Sequence, residues 1–89
     1  MSEPADPTRL KMIRFRAWHR GIRETDLILG GFADRHLAEL DPEQLEEFER
    51  IMEWPDQQLL AWIIGQEEPP AEARGEVFDW LQRFRLTLT

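Results

Sequence analysis

Cysteine is absent from the 89-residue chain, which rules out disulfides and thiolate zinc sites and fits a reducing compartment. The N-terminus lacks an apolar run: Met1 to Pro7 carries Glu3 and Asp6 with no hydrophobic segment behind them. No signal peptide or membrane span is read there, and a cytoplasmic location without membrane insertion is expected. Runs of β-branched residues are nearly missing, and no internal repeat or low-complexity tract interrupts the chain, which argues against strands and against a solenoid. Positive charge is in deficit. A net charge of −7 repels phosphates as a whole-molecule field, so nucleic acid is not an expected partner.

Against these absences stand four Trp and five Phe, with many Leu and Ile, enough for one modest core that needs no metal or covalent staple. A chain of this length has room for one domain. Asp6 is placed to cap a first helix with Pro7 in its first turn, running to about Arg20, where Gly21 loosens it. A second helix is expected from about Arg23 to Leu40, with Gly30 and Gly31 as a weak point or kink. Asp41-Pro42-Glu43-Gln44 is a capping-box start, and Leu45, Phe48, Ile51 and Met52 recur at helical spacing until Pro55. Leu59, Leu60, Trp62, Ile63 and Ile64 make a short, nearly all-apolar fourth helix ended by Gly65, expected to be the most buried element. After the Glu67–Pro70 loop, Val77, Phe78, Leu81 and Phe84 share one face of a last helix, with Trp80 at its edge or exposed. The expected fold is therefore all-α, a compact five-helix bundle over residues 8–86, with short tails at 1–7 and 87–89.

Charge is unevenly spread. Arg9, Lys11, Arg14, Arg16, Arg20 and Arg23 lie in a stretch without acids, whereas positions 39 to 56 hold eight acids against Arg50 alone. The molecule is expected to be electrically two-ended, with the acidic stretch a solvated face. Helical spacing sets Arg9, Arg16 and Arg20 on one stripe, suited to an acidic partner or simply to solvent. His19 and His36 are seventeen positions apart with no matching ligand set, so no metal site is expected. No Ser-His-Asp order, P-loop or dinucleotide glycine fingerprint can be assembled either, and no enzymatic activity is expected.

One segment is more specific. Trp18-His19-Arg20-Gly21-Ile22-Arg23-Glu24-Thr25-Asp26-Leu27 contains R-G-x-x-E followed by an acid and the aliphatic run Leu27-Ile28-Leu29. Taken alone, Arg20 and Glu24 are close enough to pair if helical geometry survives Gly21. Gly21 admits a close backbone approach or a positive φ. The plainer account makes Gly21 a helix terminator and the pair a surface ion pair worth ~0.2–1 kcal/mol. Trp18 suits an interface anchor and core packing equally well, and Trp54 and Trp62 suit the core.

Together with Leu45-x-x-Phe48-x-x-Ile51, the Trp54-Pro55-Asp56 turn and Leu59-x-x-Trp62, this pattern resembles the SdhE family of flavinylation factors, over roughly Arg9 to Gln82. It departs from the family at His19, usually a small, polar or basic residue, and at Gln57-Gln58. The resemblance implies a non-enzymatic FAD assembly factor. Its partner would be the flavoprotein subunit of succinate dehydrogenase or fumarate reductase, whose own histidine bonds to the FAD 8α-methyl carbon. It further implies a partner surface at the junction of the first two helices, with Arg20, Gly21 and Glu24 at its centre and Trp18, Arg23 and Asp26 as neighbours. The FAD would belong to the partner, this chain would hold no cofactor, and it would be a monomer when free. Two other readings remain open: a small acidic antitoxin-like or regulatory adaptor acting through its Glu-rich third helix, and a nucleic-acid binder using the stripe from 9 to 23.

Overall fold

A computed structural model describes residues 6–88. Its five α-helices are α1 (Pro7–Trp18), α2 (Arg23–His36), α3 (Pro42–Ile51), α4 (Asp56–Ile63) and α5 (Glu76–Leu86), with 3₁₀ turns at Leu37–Glu39 and Ala71–Ala73. Among the described residues there is no strand, so the expected all-α bundle is what forms. The expected N-terminal tail lies, apart from Asp6 and Pro7, outside the described residues.

The caps explain the boundaries. Asp6 accepts from the Thr8 amide with Pro7 at the first helical position. Asp41 and Gln44 complete the capping box at α3, satisfying two donors that a helix start leaves orphaned. α4 ends in a Schellman arrangement: the Gln66 amide donates to the Ala61 carbonyl and the Gly65 amide to Trp62, with Gly65 at φ +83°. Two expected ends are too long. α1 stops at Trp18 rather than near Arg20, and α2 stops at His36, tightening into the 3₁₀ turn before Leu40.

Phe32 of α2 is fully buried and is the hub of the core. Its ring centroid lies 5.6 Å from that of Phe48 on α3, and 5.1 and 5.7 Å, edge-on, from Trp80 and Phe84 on α5. Such pairs add to simple area burial. Leu29, Ala33 and Leu37 continue the same face toward Leu45, Leu59, Val77 and Leu81. The fourth helix is therefore not the most buried element, because α2 contributes more fully buried side chains than α4, where Leu59, Trp62 and Ile63 are buried. Trp54 is half-buried with its ring edge-on to Trp62 at 5.0 Å, and Trp80 sits at the edge of the α5 stripe.

Nor does α2 break at its glycine pair; it runs unbroken through Gly30 and Gly31. Trp18 explains the first glycine. A Cβ on Gly30 would stand 2.2 Å from indole Cδ2, so the missing side chain is the space in which the ring of α1 lies against the backbone of α2. The indole Nε1 donates to Asp34, one turn further along α2, at 3.2 Å, holding the ring against that helix.

Candidate functional site

Between α1 and α2 the chain reverses in four residues, His19 to Ile22, and Gly21 adopts φ +114°, a left-handed conformation that a Cβ disfavours. The helix is already broken there, so Arg20 and Glu24 are not a turn apart on one helix and do not pair. Arg20 turns inward. Its Nε donates to Asp56 Oδ1 at 2.5 Å, Nη1 to the Met52 carbonyl and Nη2 to the Trp54 carbonyl, both at 2.6 Å. Those carbonyls lie at and just past the C-terminus of α3, where a cation is favoured by the helix dipole. The Arg20 amide donates to Asp26 Oδ1 at 2.8 Å, and Thr25, buried, donates its hydroxyl to the Ile22 carbonyl. The turn is thus held from the α3–α4 junction and from α2.

This sorts the six residues of the expected partner surface. Gly21, Arg23 and Glu24 are exposed, and among the described residues neither Arg23 nor Glu24 has an ion-pair or hydrogen-bond partner. Arg20, Asp26 and Trp18 are part-buried and occupied: Arg20 with the α3 end, Asp26 with the Arg20 amide, Trp18 with Gly30 and Asp34. The six form one continuous stretch of turn and first helical turn, an exposed glycine beside an unpaired guanidinium and carboxylate, backed by a fixed support. His19 flanks it with its imidazole stacked on Phe15 at 4.0 Å and Nδ1 donating to the Phe15 carbonyl.

The two-ended charge distribution needs correction. Arg9 and Arg16 lie on α1, but Arg20 lies in the turn beyond its end, so helical spacing does not set all three on one stripe; each still meets an acid, Glu49 on α3, Glu53 in the turn after it and Asp56 at the start of α4. The acidic stretch is therefore not simply solvated. Glu47 also points inward, accepting the Phe78 amide at 3.0 Å at the start of α5, while Glu43 and Glu46 remain exposed. The Glu49 hydrogen bond raises the Arg9 guanidinium above its ordinary value. Burial separates the three pairs. Side-chain exposures are 42% and 30% for Arg9 and Glu49 and 46% and 76% for Arg16 and Glu53, but only 10% and 14% for Arg20 and Asp56. Exposed pairs contribute about 0–1 kcal/mol. Losing one partner of a buried pair costs on the order of 3–5 kcal/mol.

Sequence reasoning missed Asp56 as the partner of Arg20. The available signal was the Trp54-Pro55-Asp56 turn, where an acid follows a proline at the start of a helix and its amide neighbours leave the carboxylate free to face another element. It also missed Glu47 and the pairing of Gly30 with Trp18, for which one sequence offers no local cue. His36, packed against Phe32, Trp80 and Phe84 with Nδ1 3.1 Å from Glu39, serves the core edge. Among the described residues no group of three His, Cys, Asp or Glu side chains converges on a metal position, and no helix is long and apolar enough to cross a membrane.

Known proteins match most of this chain. A family model described as flavinator of succinate dehydrogenase matches residues 11–85. The FAD assembly factor SdhE of Acetobacter pasteurianus is 39% identical over 64 residues, covering 72% of this chain and 59% of that protein. The mitochondrial succinate dehydrogenase assembly factor 2 of Cryptococcus neoformans is 33% identical over 82 residues, 84% of this chain and 46% of that protein. The protein of the same name from Dictyostelium discoideum is 32% identical over 72 residues, 81% and 51% respectively. The chain spans about half the length of the curated relatives it matches.

Proposed function

Since the chain belongs to the family of flavinators of succinate dehydrogenase, we propose that it binds the flavoprotein subunit of succinate dehydrogenase or fumarate reductase and promotes covalent attachment of FAD to that subunit. It does so as a monomer in the cytoplasm, without holding the flavin and without catalysing the bond. A binder favours a reaction in its partner only by differential affinity, holding the arrangement in which histidine and flavin are correctly disposed more tightly than the open one. A tenfold preference shifts that equilibrium tenfold, about 1.4 kcal/mol.

One observation carries this reading: the turn that bears the R-G-x-x-E pattern presents Gly21, Arg23 and Glu24 to solvent without side-chain partners among the described residues, although its backbone and the Arg20 side chain are tightly held. Unpaired opposite charges beside a glycine suit a protein surface that approaches the backbone closely and meets each charge with its complement. Trp18 and Asp26 complete the surface at its edge, and Arg20 supports it from beneath. The reading that uses the acidic third helix has less to work with, because Glu47, Glu49 and Glu53 already have partners.

The test is pull-down of the flavoprotein subunit together with in-gel flavin fluorescence. Gly21→Arg, Arg20→Ala and Glu24→Ala are expected to reduce both capture and covalent flavin. Undiminished capture and flavin with all three removes the proposal, and loss of binding on charge reversal at Glu43 and Glu46 alone moves the surface to α3.

A further inference from the structure

The Arg20–Asp56 pair stands apart from the other ion pairs among the described residues. It is the one with both side chains nearly buried, and it joins two segments distant in sequence, the α1–α2 turn and the start of α4. Each face of the guanidinium fork that the structure describes is turned to the protein, one donor on a carboxylate and two on carbonyls at the end of α3. The second carboxylate oxygen of Asp56 lies 3.8 Å from where a Cβ on Gly21 would stand, so Asp56 also floors the glycine. The next helix, α2, has Ile22 at its N-cap and no side-chain cap. What fixes its entry is the Arg20 amide on Asp26, and thus the residue that Asp56 anchors.

From this geometry we infer that Asp56 is a positioning residue of the partner surface: through Arg20 it holds the α1–α2 turn in the shape that presents Gly21, Arg23 and Glu24, without touching the partner itself. The inference rests on the reading of that turn as the flavoprotein-binding surface and adds a residue 32 positions beyond Glu24 to its machinery. Arg20 acts in the same way, from inside. Its charge is already paired and three of its donors are already directed into the protein, so its contribution to binding is the stillness of the turn. A turn fixed before contact does not have to be ordered on contact, and that ordering otherwise subtracts from affinity. Arg9 and Arg16 have no such role, since both of their pairs are exposed and neither touches the turn.

A double-mutant cycle on flavoprotein binding tests this, using the full chain at a temperature where circular dichroism shows every variant folded. Asp56→Asn keeps size and shape but removes the charge. It is expected to weaken binding on the order of tenfold, and in its background Glu24→Ala is expected to cost far less than it does alone, because neighbours in one network are not additive. Hydrogen exchange of the free protein gives a second reading that needs no partner: amides 20–26 should exchange faster in Asp56→Asn while those of Phe32, Phe48 and Leu81 keep their protection. Should Asp56→Asn not fold, Arg20→Lys replaces it, keeping the positive charge but not the fork that reaches three acceptors, with the same expected loss. Glu24→Ala weakening binding while Asp56→Asn, or Arg20→Lys in its place, binds as the parent does overturns the inference and leaves the surface standing, and strict additivity does the same. If Glu24→Ala itself changes nothing, the surface reading falls and the inference with it.

Discussion

Replacing Gly30 by alanine reverses the sign that helix propensity alone gives. In the middle of an ordinary helix this change stabilises by about 1 kcal/mol, since glycine loses more backbone freedom than alanine. Here the new Cβ meets indole Cδ2, Cε2 and Cε3 of Trp18 at 2.2, 2.5 and 2.7 Å. Carbon atoms in good contact stand 3.5–4.0 Å apart, so the ring has to retreat by about 1 Å or more. It cannot do so by a small rotation, because the three atoms belong to one rigid ring whose nitrogen is bonded to Asp34, and α2 is pinned behind Gly30 by buried Leu29, Phe32 and Ala33. Overpacking of this kind costs about 1–3 kcal/mol, and expulsion of the indole instead forfeits about 2 kcal/mol of burial. Against the propensity gain of about 1 kcal/mol, the net is a loss of about 0–2 kcal/mol, up to about 15 °C in the thermal midpoint for a domain of this size. Thermal unfolding followed by circular dichroism and tryptophan fluorescence reads it directly. Two companions separate the causes: Gly31→Ala, whose Cβ would lie 3.3 Å from Phe84 Cζ, should be close to neutral, and in a Trp18→Ala background Gly30→Ala should become stabilising. A rise in midpoint for Gly30→Ala in the parent chain refutes the account of Trp18 against Gly30.

Three further outcomes concern the helix ends. Glu47→Ala leaves the Phe78 amide at the head of α5 without its acceptor and is expected to cost about 1–2 kcal/mol, measured as a lower urea midpoint at unchanged slope. Gly75→Ala should cost a similar amount by another route, because its backbone is extended and accepts any residue, yet its Cβ would stand 2.4 Å from the Glu47 carboxylate and push it off the helix. Gly65→Ala is the converse case, with open space around it but φ at +83°, and should cost about 1–2 kcal/mol from strain alone; a neutral result there would mean the Schellman turn relaxes.

Local rules made the helices legible and long-range contacts hid the site. Asp6, Asp41-Pro42 and Gly65 act within a few residues of themselves, so their roles at helix ends follow from residue type, and the apolar periodicity of α3 and α5 selects the same faces that the structure buries. The errors have one physical origin. Gly30 signals helix weakness by propensity, but its partner is Trp18, 12 positions earlier. Arg20 signals a local pair with Glu24, whereas its carboxylate comes from Asp56, 36 positions later. Glu47 belongs to an outward-looking run of acids and is drawn inward by the unsatisfied amides of another helix. In each case tertiary geometry outweighed a local preference worth about 1 kcal/mol or less. The R-G-x-x-E turn was legible as a position in the chain; which of its residues are exposed and which are held from beneath was not.

That division bears on how so small and acidic a protein selects a partner. Three of its arginines meet acids of its own α3, α4 and the turn between them, so the basic stretch read from the sequence projects much less field than its composition suggests. On the proposed reading of the turn as the partner surface, the basic stretch then adds little attraction at a distance, and discrimination comes at contact, from a guanidinium and a carboxylate on neighbouring residues beside a bare backbone. Such a pair is specific only if it is still. Were the turn mobile, Arg23 and Glu24 would pair with each other or follow any charged surface, and the energy of meeting the right partner would go into ordering them. The buried pair beneath the turn removes that freedom at the cost of desolvating two charges, which the α3 carbonyls and the Asp56 carboxylate offset. A buried ion pair is a poor source of stability compared with an apolar contact of the same size, so its place directly under the exposed part of the motif is better explained by the shape it imposes than by the stability it adds.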